Sequence, residues 1–203
     1  MAKIEFFFDC SSPWTYLAFE QIQALIARHP DVEIVYRPIL VGGVFNAVNP
    51  SVYVNRDNPV PPKQAYAKKD LQDWAASVGV TIGEPPVFPV NSVKAMRGAF
   101  VALEQGCLVP YARRVFERYW EDLADISQVE ELAEIVRSVG MDETVFFEKI
   151  ANPEIKDQLR AATEELIARG GFGSPTLYLE GDDMYFGNDR ICLIEAKLAG
   201  AAT

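Results

Sequence analysis

FFFDCSSPWTYLAFE, Phe6 to Glu20, is the stretch that decides the fold. Three phenylalanines soon after Ile4 predict a buried strand over residues 3–9. Ser12 followed by Pro13 is a favoured helix start, an N-cap and then a first residue whose missing N–H costs nothing. A strand therefore runs straight into a helix. At such a junction the unpaired N–H groups of the first turn and the positive end of the helix dipole face whatever lies beside Ser12, and they stabilise an anion or a thiolate there. Ser12 is the first candidate for function, although a Ser-Pro start read alone needs only to cap its helix.

On the C-terminal side, Trp14, Leu17, Ala18, Ile22, Leu25 and Ile26 recur at helical spacing over residues 13–29, and Pro30 ends the run. VEIVYRP, from Val32 to Pro38, is β-branched and aromatic enough for a second strand, so the first 38 residues predict a βαβ unit with parallel strands. From Leu40 to Pro62 the glycines, asparagines and prolines predict a long loop. A helix follows over Lys63 to Val78, with Tyr66, Leu71, Trp74, Ala75 and Val78 on one side. Another spans Ser92 to Gln105, and an apolar stripe runs from Tyr111 to Trp120. Ser127 with Glu130 reads as a capping box opening a helix that ends at Gly140. Asp142 caps a shorter helix, and Asn152 with Pro153 opens a long one ending at Gly170. Period two then returns in TLYLE and MYF around a turn at Gly181–Asp183, an antiparallel hairpin, and Asn188 or Asp189 caps the last helix.

Composition narrows the function classes. With 203 residues, 49% of them apolar, the chain has enough material for a sizeable core. Its 19 basic and 29 acidic side chains leave a net charge of −10, which repels nucleic acid and anionic membranes and makes the few cations informative. Cys10, Cys107 and Cys192 lie far apart without metal-ligand spacing, and His29 is the sole histidine, at the end of a helix where the dipole favours a cation. Metal centres and Ser-His-Asp chemistry are not expected. MAKIEFFF has no signal-peptide pattern and no apolar run approaches the roughly 20 residues of a membrane span, so a reducing cytoplasm is the expected location.

The βαβ and ββα halves, the Ser motif opening the first helix and the proline before the third strand resemble the thioredoxin fold. The helical block between them is similar to the DsbA-like branch, which includes kappa-class glutathione transferases and 2-hydroxychromene-2-carboxylate isomerases. The resemblance rests on FFFDCSSPWTYLAFE, RPILVGGVFNAVNP, PPKQAYAKKDL, FGSPT and FGNDR. It implies an α/β fold with a thioredoxin-like domain made of residues 1–39 and 172–203, and a helical insertion, residues 40–171, that includes the loop 40–62. Redox members open the helix with Cys-x-x-Cys. Here those positions read Ser12-Pro13-Trp14-Thr15, and Cys10 has no partner within the motif, so dithiol exchange is not expected.

An external thiol is the alternative, and the resemblance makes it glutathione. It implies that Ser12 donates a hydrogen bond to the sulfur and that Ser174, before a cis Pro175, pairs with the cysteinyl backbone. Asn188 and Asp189 would hold the γ-glutamyl end, and Lys63 the glycyl end. Asn49 would also touch glutathione, with Asn46 as its rival. Read without the resemblance, Asn188 and Asp189 are a capping pair and Lys63 a solvated helix start. Asn91, Lys94 and Arg97 in FPVNSVKAMR either serve the carboxylate of a second, aromatic substrate or cap and solvate a helix. The implied activity is glutathione-dependent cis-trans isomerisation of 2-hydroxychromene-2-carboxylate-type compounds, in a homodimer. FGNDR favours this over a kappa-class transferase. A non-catalytic module on the same fold is the third reading.

Overall fold

In a computed structural model, which describes residues 2–201, β1 (Lys3–Phe8) lies inside a four-stranded sheet of order β2-β1-β3-β4. It pairs in parallel with β2 (Glu33–Pro38), joined through α1 (Pro13–Arg28), and antiparallel with β3 (Thr176–Leu179). The hairpin partner β4 (Asp183–Phe186) forms the edge. The period-two alternation of β1 divides its phenylalanines between two layers. Phe6 and Phe8, both fully buried, stack on each other and meet Tyr36 edge-on, in the core that α1 covers. Phe7 points to the other face, against Tyr178, Val44 and Leu166. Each such ring, taken fully out of water, contributes about 1.5–3 kcal/mol.

Between β2 and β3 lie α2 (Val41–Val48), α3 (Ser51–Asp57), α4 (Pro61–Val78), α5 (Val93–Glu104), α6 (Leu108–Trp120), α7 (Val129–Ser138), α8 (Glu143–Ala151) and α9 (Pro153–Ala168). α10 (Ile191–Ala201) closes the chain behind a 3-10 turn at Asn188–Arg190.

Three sequence expectations need correction. Residues 40–62 are mostly α2 and α3 rather than a loop, because the prolines there start helices instead of breaking them: Pro50 precedes α3, and Pro61 and Pro62 occupy the first turn of α4. Tyr66 is 66% exposed, since residues 61–69 of α4 all face solvent and the helix packs only through its later turns. Ser127 forms no capping box: Gln128 precedes α7 without a side-chain cap, and the Ser127 N–H donates to Asp125 instead. Asp142 and Asn152 do cap α8 and α9, accepting the Val145 and Glu154 N–H groups at 2.9 Å.

Candidate active site

Ser12 stands where β1 hands over to α1. Its Oγ accepts the Thr15 N–H at 3.3 Å, as an N-cap should, and its hydroxyl donates to the Ser174 carbonyl at 3.2 Å. Ser174 precedes a cis Pro175, and its own hydroxyl is buried, accepting the Asp9 N–H at 3.1 Å and lying 2.8 Å from the Thr15 hydroxyl. One lone pair of the Ser174 carbonyl thus remains open, because a carbonyl oxygen has two.

Beneath Ser12, Asp9 is 1% exposed and ties three distant segments together. Its carboxylate accepts the Ser11 N–H at 2.9 Å, the Val41 N–H that opens α2 at 2.9 Å, and the Ser92 hydroxyl at 3.1 Å. Burial pushes the Asp9 carboxyl above its usual value, while the N–H groups of Ser11 and Val41 pull the other way. Cys10 faces away from this surface, 1% exposed. Its N–H is directed at the Met96 sulfur and its carbonyl accepts the Trp120 indole N–H. Desolvation raises its thiol well above the ordinary range, so it stays protonated and unreactive.

These groups form one wall of a cavity of about 520 Å3 between the thioredoxin-like half and the helices. Apolar side chains, among them Trp14, Phe45, Val52 and Phe88, make up much of the rest, and no cysteine lines it. Two depressions adjoin it. One shares Trp14, Ser174 and Phe186 with the cavity and brings together Pro175, Asn188, Asp189 and Arg190. Asp189 is ion-paired with Arg190, so adjacent charges of both signs face outward, a match for the zwitterionic end of an amino acid. Asn188 is 3% exposed, and its Nδ2 is buried without a hydrogen-bond partner. The other depression shares Tyr53, Arg56, Phe88 and Pro89 with the cavity and contains Lys63, which has no ion pair among the described residues.

The family model for the DSBA-like thioredoxin domain matches residues 3–199. The chain is 32% identical over 199 residues to the 2-hydroxychromene-2-carboxylate isomerase of Pseudomonas putida, spanning 96% of this chain and 93% of that one. It belongs to the family of 2-hydroxychromene-2-carboxylate isomerases and kappa-class glutathione transferases. A solved structure of selenomethionine 2-hydroxychromene-2-carboxylate isomerase superposes with a TM-score of 0.81 at 25% identity, over 98% of this chain and 96% of that one. The human glutathione S-transferase kappa 1 is 28% identical over 216 residues, 97% of this chain and 90% of its own.

Within this member of the family, Ser12, Ser174, Pro175, Asn188, Asp189, Asn49 and Lys63 all lie along the cavity and its two neighbours. Of the two rival asparagines, Asn49 lines the cavity, although its Nδ2 already donates to the Phe172 carbonyl and its Oδ1 accepts from Ser51. Asn46 is engaged by the Tyr53 hydroxyl. Asn91 lines the cavity, with its Oδ1 taken by the Val93 N–H. Lys94 and Arg97 do not reach it. Lys94 donates to the Ser127 carbonyl on the surface, and Arg97 borders a separate hollow beside α9.

Sequence reading missed Asp9, whose only signal was a carboxylate between a strand of phenylalanines and the helix start. It also missed the aromatic and cationic contribution of α2 and α3, hidden by the expected loop.

Proposed function

We propose that this chain is a glutathione-dependent cis-trans isomerase converting 2-hydroxychromene-2-carboxylate-type substrates to trans-o-hydroxybenzylidenepyruvate. The observation that carries the reading is the Ser12 hydroxyl at the positive end of α1, on the wall of a cavity that holds no thiol of its own. When bound, glutathione would supply a thiolate that adds reversibly to a conjugated carbon; the hemiketal C–O bond of the chromene would open to a phenol and a ketone, the formerly double bond would turn, and loss of the sulfur would restore it in the trans form.

The chain's own residues would do the rest. Ser12, with the first turn of α1, holds negative charge on the sulfur by hydrogen bond and dipole. The free lone pair of the Ser174 carbonyl takes a backbone N–H, as an added strand would. The Asp189–Arg190 pair, beside Asn188 in the same depression, suits the γ-glutamyl end. Lys63 suits the glycyl carboxylate. Trp14, Phe45 and Phe88 give the reacting carbon an apolar surface to lie against.

The test is whether turnover needs glutathione catalytically. Desalted protein should be inactive on 2-hydroxychromene-2-carboxylate, and added glutathione should restore turnover without being consumed. Consumption of one thiol per product would make the protein a transferase of the kappa type. The absence of any thermal shift with glutathione would leave a module without this chemistry.

A further inference from the structure

Arg56, in the last turn of α3, is held among three aromatic rings. Its guanidinium carbon lies 5.3 Å from the centre of Phe88, 5.8 Å from Phe45 and 6.0 Å from Tyr53. All four side chains line the cavity on which Ser12 opens. A guanidinium held by cation–π contacts still has its N–H groups to give, and none of those of Arg56 has a hydrogen-bond partner among the described residues. Those groups are a fork shaped for a carboxylate.

The charge pattern of the whole chain singles out the same residue. In a protein of net charge −10, arginines find carboxylates readily: Arg28 pairs with Glu195, Arg37 with Glu165, Arg113 with Glu20 and Arg118 with Glu131. Among the described residues, Arg56 and Arg97 are the arginines without such a partner, and Arg97 lies outside the cavity. Arg56 is thus the one unpaired arginine facing the cavity, placed where flat apolar walls meet solvent.

We infer that Arg56 determines substrate specificity by taking the carboxylate of a planar aromatic acid whose ring lies against Phe45, Tyr53 and Phe88. The inference rests on the isomerase reading for the identity of the reaction, and it assigns to α3 the role that the sequence offered to Lys94 and Arg97. Lys63 remains for the carboxylate of the thiol cosubstrate, so the two anions have separate cations.

A binding experiment without turnover tests it. Chromone-2-carboxylate, a stable flat analogue, and chromone, the same ring without the acid, are titrated into glutathione-saturated protein and followed by calorimetry. The wild type should prefer the acid. A charge-assisted bidentate contact is worth about 1.5–3 kcal/mol, so Arg56→Gln should weaken the acid roughly ten- to a hundredfold. Chromone and glutathione should bind that variant as they bind the wild type. Arg56→Lys, which keeps the charge but loses the fork and the stacking, should recover part of the loss.

Equal loss of chromone and its acid would show that Arg56 only props the rings and would overturn the inference. So would an unchanged affinity for the acid, or a loss confined to glutathione. If the acid binds through Arg56 but no isomerase turnover is found, the inference stands and the proposed reaction falls. If turnover is found and Arg56→Gln leaves its KM unchanged, the reaction stands and the inference falls.

Discussion

Replacing Ser12 with alanine separates helix capping from thiolate stabilisation, because the two roles differ in size and in readout. The cap is weak: the Thr15 N–H reaches Oγ at 3.3 Å, beyond the usual 2.7–3.2 Å, so its loss should cost about 0.5–1 kcal/mol, at the lower end for N-caps. The bond to the Ser174 carbonyl, at 3.2 Å, is also long for a hydroxyl and breaks at little cost when the hydroxyl turns toward a sulfur. For a domain of this size about 1 kcal/mol shifts the melting temperature by 2–4 °C, so Ser12→Ala should melt only a few degrees lower. A hydrogen bond to a charged sulfur is worth about 1.5–3 kcal/mol, so kcat should fall roughly ten- to a hundredfold. Glutathione affinity should hardly change, since the contacts proposed for Ser174, Asn188, Asp189 and Lys63 do not involve the deleted hydroxyl. The assay is a set of three on one variant: melting temperature, calorimetric affinity for glutathione, and ultraviolet titration of the bound thiol, whose pKa should rise. A variant that melts lower but titrates and turns over like the wild type would reduce Ser12 to a cap.

Ser174→Ala should show the opposite pattern, because the deleted hydroxyl faces the buried Asp9 N–H and Thr15 hydroxyl rather than the cavity. Leaving a buried donor unpaired costs about 1–3 kcal/mol, so thermal unfolding should register a clear loss while glutathione affinity holds. Glu195→Gln probes the acid limb of stability. The hydrogen bond from Arg28, joined by His29, holds the Glu195 carboxyl at about 2 against an ordinary 4.5, so between those values the unfolded chain takes up a proton that the native protein refuses. Stability from this group is therefore complete above pH 4.5 and lost as pH falls toward 2. The variant should melt about 2–4 °C below the wild type at neutral pH, for a partly exposed pair worth about 1 kcal/mol, and the gap should close in strong acid. Cys10→Ala should keep most turnover. In the native wild type, mass spectrometry after brief alkylation should find exposed Cys192 modified and Cys10 untouched, and insulin disulfides should not be reduced.

The strands and the first helix were legible in the sequence because their signals are local. Phe6 to Phe8, the Ser12-Pro13 start and the period-two hairpin each need only a few neighbouring residues to declare themselves. The α2–α3 region was not legible, because what starts α2 comes from afar. Leu40 carries no capping side chain, and the N–H of Val41 is satisfied by Asp9, a residue in another element. Gly43 sits close to Thr163, where an added Cβ would lie 3.3 Å from its methyl group, so a residue that reads as a helix breaker serves the packing of α2 on α9. The candidate site divides along the same line. Ser12, Ser174 and Asn188 stand in short motifs, whereas Arg56 gained meaning only once Phe45 and Phe88 were found around it.

The hydrogen bonds around Asp9 also bear on the order in which the molecule is made. They join residues 32 positions apart at Val41, 83 at Ser92 and 165 at Ser174. A chain emerging from the ribosome can complete β1, α1 and β2 early, but β1 then has one side unpaired until β3 arrives. During that interval an apolar strand edge built on three phenylalanines is open to other chains. The eight helices synthesised in between therefore set a waiting time, and growing chains halted before Thr176 lack Phe186 of the cavity lining and Asn188 and Asp189 of the adjoining depression. Ligand capture by nascent chains of increasing length should thus begin only after the hairpin has cleared the tunnel.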